Sequence, residues 1–149
     1  MTKAAVLDTS MQRTHEWLHE VGRDLGFDNE RAAYAALRAT LHAVRERLPV
    51  ELVAHFGAEL PMLVRGIYYE GWHPSAVRLK AAHDEDFCDS MRRELQGHNE
   101  LRDVERVARS VLRVIDRRIE PGQVDRVVDA LPRQTREFWR AVRQDEDIQ

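Results

Sequence analysis

Two long stretches of the chain carry the same pattern, NERAAYAALRATLHAVRERL at residues 29–48 and ELRDVERVARSVLRVIDRRI at residues 100–119. The second begins 71 positions after the first, and the same offset relates Leu60-Pro61 to Leu131-Pro132. This offset also aligns Gly26 with Gly97, Arg38 with Arg109, Leu41 with Leu112, Arg47 with Arg118, and Val53 with Val124. Upstream of Gly26 the offset is 70, so that Trp17 aligns with Phe87 and Val21 with Met91. A self-similarity of this length indicates two copies of one structural unit.

Both copies are predicted to be helical, because apolar residues recur at helical spacing, as in Trp17, Leu18, Val21 and Leu25. In the first copy we predict helices at residues 14–25, about 30–48 and 50–57 and after Leu60-Pro61; in the second, at 84–95, about 100–119, 124–130 and 132–142. Gly26 is predicted to end the first helix, and Asp28 or Asn29, with Asn99 in the second copy, to cap the long helices. No segment alternates long enough to predict a strand.

The predicted fold class is therefore all-α, with two four-helix repeats packed as one pseudo-symmetric helical bundle. The predicted organisation is an N-terminal extension (1–13), helical repeat 1 (14–70), a linker (71–83), helical repeat 2 (84–142) and an acidic tail (143–149). We expect both ends of the chain to fray. Trp72 and His73 open the linker, whose apolar composition predicts that Trp72 packs where the two repeats meet.

The composition is that of an ordinary globular protein, and it narrows the classes of function. The 149 residues are 43% hydrophobic and 33% charged with a formal net charge of −3, which does not favour nucleic acid as a partner. Cys88 is the single cysteine, and its alignment with Leu18 predicts a buried, unreactive thiol. The sequence has neither a long apolar run nor a signal-peptide core, so we expect a cytoplasmic protein without a membrane partner.

Four short motifs, their order and their duplication resemble a known family. They are Trp17-Leu18-Val21, Arg45-Glu46-Arg47-Leu48, Ala58-Glu59-Leu60-Pro61 and Tyr69-Glu70-Gly71-Trp72-His73-Pro74. Through them residues 14–142 are similar to the bacterial "domain of unknown function 2267" family. The resemblance implies a soluble bacterial helical protein with two related halves. It implies no reaction and no catalytic residues, because that family has no established activity.

Residues 15–19, His-Glu-Trp-Leu-His, match the H-E-x-x-H motif of zinc hydrolases. In such enzymes two histidines, here His15 and His19, bind the metal, and the glutamate, here Glu16, activates water. Repeat 2 lacks the motif, and Leu25 occupies the position of the third histidine in the longer form. On a helix the two histidines also lie away from the apolar side that contains Trp17. We therefore predict surface histidines and no enzyme, with a small zinc-dependent hydrolase as the alternative.

Five arginines follow one stripe of the long helix in repeat 2. At spacings of 4, 3, 4 and 4 they are Arg102, Arg106, Arg109, Arg113 and Arg117. Such a row can bind phosphate or an acidic protein surface, and Glu105 and Asp116 beside it can neutralise part of its charge. The apolar residues on the opposite side favour a solvated helix face, with binding of an anionic ligand along the stripe as the alternative.

Together these patterns favour a non-enzymatic protein-interaction or regulatory module with an unknown protein partner and no cofactor. Trp72 and His73 form a second candidate binding place, since a cleft between two repeats is a common pocket location. The histidines at 42, 55, 73, 83 and 98 show no spacing typical of metal ligands. Monomer and oligomer remain open alternatives at this point.

Overall fold

The computed structural model describes residues 3–148, and the side chains of residues 5–145. Within these residues the chain is helical without a strand, which confirms the all-α prediction. The described α-helices are α1 Lys3–Leu25, α2 Glu30–Arg45, α3 Val50–Ala58, α4 Met62–Tyr69, α5 Ala76–Asp84, α6 Phe87–Glu94, α7 Val104–Arg118, α8 Pro121–Ala130 and α9 Arg133–Ile148. A 3₁₀ turn, Asn99–Leu101, precedes α7.

Helices α2 and α7 pack against each other within one hydrophobic core. α1 packs against both of them, and so does α6. α4 packs on α2, α9 packs on α7, and α3 contacts α8. The predicted apolar faces of α1 and α7 are buried in this core, including Trp17, Leu18, Val21 and Leu25 of α1 and Val104, Val107, Val111, Leu112 and Ile115 of α7. Each half of the chain therefore covers apolar surface of the other.

The end of α1 and the cap of α2 agree with the sequence prediction, whereas α2 ends at Arg45 rather than near Leu48 and the cap of α7 differs. Gly26 follows α1 with a φ of +80°, and the Asn29 side chain accepts a 3.2 Å hydrogen bond from the Ala32 amide. The prediction that Asn99 caps the long helix of repeat 2 is wrong. Asp103 caps it instead, by accepting from the Arg106 amide at 3.2 Å, and Asn99 lies in the preceding 3₁₀ turn.

The linker contains a helix that the sequence analysis did not predict. Ser75 caps α5 by accepting from the Arg78 amide at 3.4 Å, although the helix is only weakly amphipathic and buries Ala82 alone. α1 and α9 also extend beyond their predicted bounds, since α1 begins at Lys3 and α9 ends at Ile148. No proline or glycine interrupts either extension, so nothing in the local sequence stops the helix. Residues 1, 2 and 149 lie outside the described residues.

Candidate functional site

The H-E-x-x-H motif lies on the solvent side of α1. His15, Glu16 and His19 are exposed, because Trp17 occupies the side of the helix that packs in the core. His15 Nδ1 pairs with a carboxylate oxygen of Glu30 at the start of α2. Across the described residues, no three His, Cys, Asp or Glu side chains come close enough together to hold a metal ion. In this part of the chain, a zinc hydrolase therefore lacks the third protein ligand that its chemistry requires.

Two arginines of the predicted stripe bind α1. Arg106 Nη2 donates a 2.8 Å hydrogen bond to the Leu25 carbonyl at the end of that helix. Arg117 Nη1 donates to Glu20 Oε1 at 2.9 Å, and Arg117 also pairs with Asp24 at 3.4 Å. The carbonyl at a helix C-terminus carries partial negative charge, so Arg106 also complements the α1 dipole. These two guanidinium groups join the halves of the chain.

The other members of the stripe differ in their exposure to solvent. Arg102 is exposed and precedes α7, whereas Arg109 and Arg113 are half-buried. None of the three makes a side-chain hydrogen bond or ion pair with another described residue. Asp116, which was predicted to be able to neutralise part of the stripe, accepts a 3.0 Å hydrogen bond from Trp139 Nε1 of α9. Two of the five arginines thus make contacts that hold α1 against α7, and the other three do not bond another described side chain.

Trp72 and His73 lie at the end of α4 rather than deep in the core. Trp72 is half-buried, with its ring centroid 5.7 Å from that of Tyr69. His73 is exposed. Both residues line a cavity of about 330 Å³ together with Leu48 and Pro49, which follow α2. The pair therefore borders a cleft between repeat 1 and the linker.

A polar cluster of Arg38, His42, Glu70 and Glu94 lies along α2 and was not predicted from the sequence. His42 is buried, with Nδ1 2.8 Å from Glu94 Oε1 and Nε2 2.8 Å from the Ile67 carbonyl oxygen. Arg38 bonds both Glu94 and Glu70, at 2.7 Å in the case of Glu70. Both ring nitrogens of His42 therefore lie within hydrogen-bonding distance of an oxygen atom. The cluster ties α2 to α4 and α6.

Glu94 is ionised within this cluster. Burial by itself raises the pKa of a carboxyl group, because the charged form loses hydration. The hydrogen bond and electrostatic effect of His42, with the charges of Arg38 and Arg45, outweigh that cost and hold the pKa of Glu94 below its ordinary value. The cluster therefore places a carboxylate and three basic groups at the interface of α2 and α6.

A cavity of about 460 Å³ lies beside this cluster, and we call it the α2–α6 cavity. Polar and charged residues of α2, α6 and the turns beside them line it: His42, Arg45, Glu46, Arg47, Glu85, Ser90, Arg93 and Glu94. Arg78, Ala81 and Ala82 of α5 close one side. Four arginines and three glutamates thus line the cavity. Arginines are frequent in sites that recognise oxyanions, so an anionic ligand suits the cations that the glutamates do not pair with.

Arg47 is the least accessible charged group in the cavity wall, at 1% exposed. Its Nη1 donates to the Ala43 carbonyl at 2.9 Å and its Nη2 to the Glu85 carbonyl at 3.0 Å. The guanidinium carbon lies 5.6 Å from the centre of the Phe87 ring. Burial lowers the pKa of Arg47, with nearby carboxylates opposing the effect. The side chain is a buried cation held by carbonyl oxygens and an aromatic ring.

Cys88 does not provide an activated nucleophile beside the α2–α6 cavity. The thiol is buried, as its alignment with Leu18 predicted, and burial together with neighbouring acidic residues raises its pKa to about 11. A thiol with such a pKa is protonated at neutral pH and unreactive. The geometry of the site thus provides binding groups and no nucleophile–base pair around this cysteine.

Comparison with known protein families gives a match over most of the chain. The family described as "Uncharacterized conserved protein (DUF2267)" matches the chain over residues 14–138. No curated protein matches the chain. None of the described helices is both long enough and apolar enough to span a membrane. The match covers both halves of the helical core and every residue of the polar cluster.

Proposed function

The chain belongs to the DUF2267 family of uncharacterised conserved proteins, and we propose that it is a non-enzymatic protein-interaction module of the bacterial cytoplasm. The observation that carries this proposal is an exposed apolar surface on the first turns of α1. We call residues 5–14 the α1 arm. Its role is to present apolar side chains to a second protein.

The α1 arm continues the side of α1 that packs in the core. At about 100° per residue, Val6, Leu7 and Met11 project within the same arc of roughly 140° as Trp17 and Val21. Trp17 and Val21 are 2% and 0% exposed, whereas Val6, Leu7 and Met11 are 50%, 59% and 52% exposed. The apolar side of α1 therefore extends, towards the N-terminus, beyond the part of the helix that packs in the core.

Single exposed apolar residues are common on soluble proteins, but a cluster on one side of a helix is typical of a binding surface. Amphipathic helices bind partners by laying such a side into an apolar groove, with anchors three and four positions apart. Leu7 and Met11 have this spacing. We infer that the partner of the α1 arm is a different protein with an apolar groove that accepts a helix. The experiment must distinguish such a partner from a second copy of this chain.

The test compares two double variants of the full chain. Leu7→Glu with Met11→Glu places charge on the apolar side, and Thr9→Glu with Gln12→Glu places the same charge on the other side of the same turns. Both variants should unfold with a free energy within about 0.5 kcal/mol of wild type, since all four residues are exposed. Native extract of the source cell is passed over each protein, and bound proteins are quantified by mass spectrometry.

A partner retained by wild type and by the Thr9/Gln12 variant, but lost by the Leu7/Met11 variant, supports the proposal. Light scattering on the same proteins shows whether that partner is a second copy, which would appear as a dimer lost in the Leu7/Met11 variant alone. Equal retention of the partner by both variants would show that the α1 arm is not the contact surface.

We further propose that the two halves are structural repeats related by a pseudo-dyad. The pairing of helices supports this, because α1 and α6, the first helices of the halves, each pack on both α2 and α7. Aligned residues also make equivalent contacts across the halves. Arg47 stacks on Phe87 at 5.6 Å, and Arg118, its aligned residue, stacks on Trp17, the residue aligned with Phe87, at 6.0 Å.

A further inference from the structure

The two stacked arginines differ in what neutralises their charge. Arg118 Nε donates a 2.6 Å hydrogen bond to Glu20 Oε2, which forms an ion pair at the surface. Arg47 is the residue of the other half that aligns with Arg118, and its Nη1 lies 3.4 Å from Ser90 Oγ. Glu20 and Ser90 align at the offset of 70 that relates the first helices of the two halves. One half therefore has a carboxylate where the other has a neutral hydroxyl.

Arg47 makes no ion pair with any described residue, although three acids lie near enough to act on its charge. Each of those acids binds another group. Glu85 pairs with Arg93, Glu46 pairs with Arg45, and Asp86 accepts from the backbone at the start of α6 and from Gln134. A buried charge without its own counter-ion is costly, and native proteins normally pair it. The counter-ion of Arg47 is therefore missing from the described chain.

Arg47 also has hydrogen-bonding capacity to spare. A guanidinium has five N–H donors, and three of them are directed to Ala43, Glu85 and Ser90. The same cavity contains Arg78, which is exposed and makes no side-chain hydrogen bond or ion pair with another described residue. Two cations that form no ion pair with a described residue thus border one cavity of about 460 Å³. Pockets of roughly 300–1,000 Å³ are the size that small organic ligands occupy.

We propose that the α2–α6 cavity binds a small ligand through a phosphate group, with Arg47 as the buried anchor and Arg78 as the second cation at its rim. A phosphate dianion supplies both missing negative charges and the acceptors that the remaining guanidinium donors require. This site lies apart from the α1 arm and does not depend on the interaction proposed for that surface.

The test uses calorimetric titration of the full chain with inorganic phosphate and with glycerol 3-phosphate, at constant ionic strength set with chloride. Wild type should bind one phosphate group per chain. Ser90→Glu introduces the carboxylate that the other half already has, and it should weaken binding by about tenfold or more by pairing with Arg47. The matched control, Glu20→Ser, makes the reverse exchange at the aligned position, and it should leave phosphate affinity in this cavity within about twofold of wild type.

Glycerol 3-phosphate binding more tightly than inorganic phosphate assigns the site to an organic phosphate, and equal affinities assign it to the free ion. Circular dichroism establishes that each variant is folded. If Ser90→Glu does not fold, Arg78→Gln replaces it as the test variant, because this exposed residue can be changed without disturbing the core. Arg78→Gln should weaken phosphate binding by about threefold or more. Absence of saturable phosphate binding by wild type, or binding that neither variant weakens, overturns the proposal.

Discussion

Replacing Leu60 or Leu131 with alanine tests whether the two Leu-Pro turns are parts of the packed core. Leu60 is 1% exposed and Leu131 is 2% exposed. In each turn an arginine from the following helix donates to the leucine carbonyl, Arg65 at 2.9 Å and Arg136 at 3.2 Å. These hydrogen bonds hold the backbone in place after truncation, so the cavity left by the side chain cannot easily collapse.

The magnitude follows from that rigidity. Loss of three buried carbon groups at about 0.8 kcal/mol each removes about 2.4 kcal/mol of transfer free energy. A cavity that the structure does not fill raises the cost to about 3–5 kcal/mol, the upper part of the range for Leu→Ala in cores. With a slope of about 2 kcal/mol per M, the urea midpoint of either variant should fall by roughly 1.5–2.5 M at an unchanged slope.

Urea denaturation followed by far-ultraviolet circular dichroism measures this shift. Met62→Ala is the matched control, because Met62 immediately follows the first Leu-Pro turn and is 57% exposed. It should cost no more than about 0.5 kcal/mol. Costs below about 1 kcal/mol for both Leu60→Ala and Leu131→Ala would refute the packed-core reasoning and make the Leu-Pro turns candidates for a binding surface.

Four further perturbations test other features of the fold. Because α1 covers α7 and α6 covers α2, fragments 1–72 and 84–149 should each lack a cooperative thermal transition in calorimetry, and such a transition in a monomeric fragment would contradict the shared core. Gly66→Ala should raise the unfolding free energy by about 0.4–1 kcal/mol, since an added Cβ meets no atom within 4 Å. Gly22→Ala should lower it, because there the Cβ lies 3.0 Å from a backbone oxygen. Glu94, whose pKa is lowered despite burial, contributes stability that is fully present above the unfolded-state pKa of about 4.3 and is lost as pH falls through the lower folded-state pKa. Stability measured from about pH 5 downwards should therefore decline less steeply in Glu94→Gln, and an identical decline would argue against the pairing.

The helical class and the main core positions could be predicted from local pattern. Trp17, Val21 and Leu112 recur at helical spacing and are buried, because a helix that shows one apolar side must cover it. α5 could not be predicted in this way, since Ala76–Asp84 has little apolar periodicity and buries one alanine. Its position depends on the Ser75 cap and on the helices that it contacts.

The polar cluster could not be predicted, because helical periodicity does not identify which polar residues a distant segment will cover. His42 is an ordinary polar position when α2 is considered alone, and Arg47 is one of two arginines near the end of that helix. Burial of His42 requires α4 and α6, which supply the Ile67 carbonyl and Glu94. One signal was available in the sequence, namely that Ser90 stands where the other half has Glu20.

The sequence alone determined that this protein is helical and internally similar, since both properties follow from spacing along the chain. Tertiary structure decided which charges are neutralised. Arg106 and Arg117 of the predicted stripe form structural contacts because α1 lies beside α7. Arg47 is a buried cation without an ion pair because α6 places a serine beside it, where the other half has a glutamate. Electrostatic partners are set by proximity in space, and a change of one side chain at a helix contact alters the charge of a cavity without altering the pattern that forms the helix.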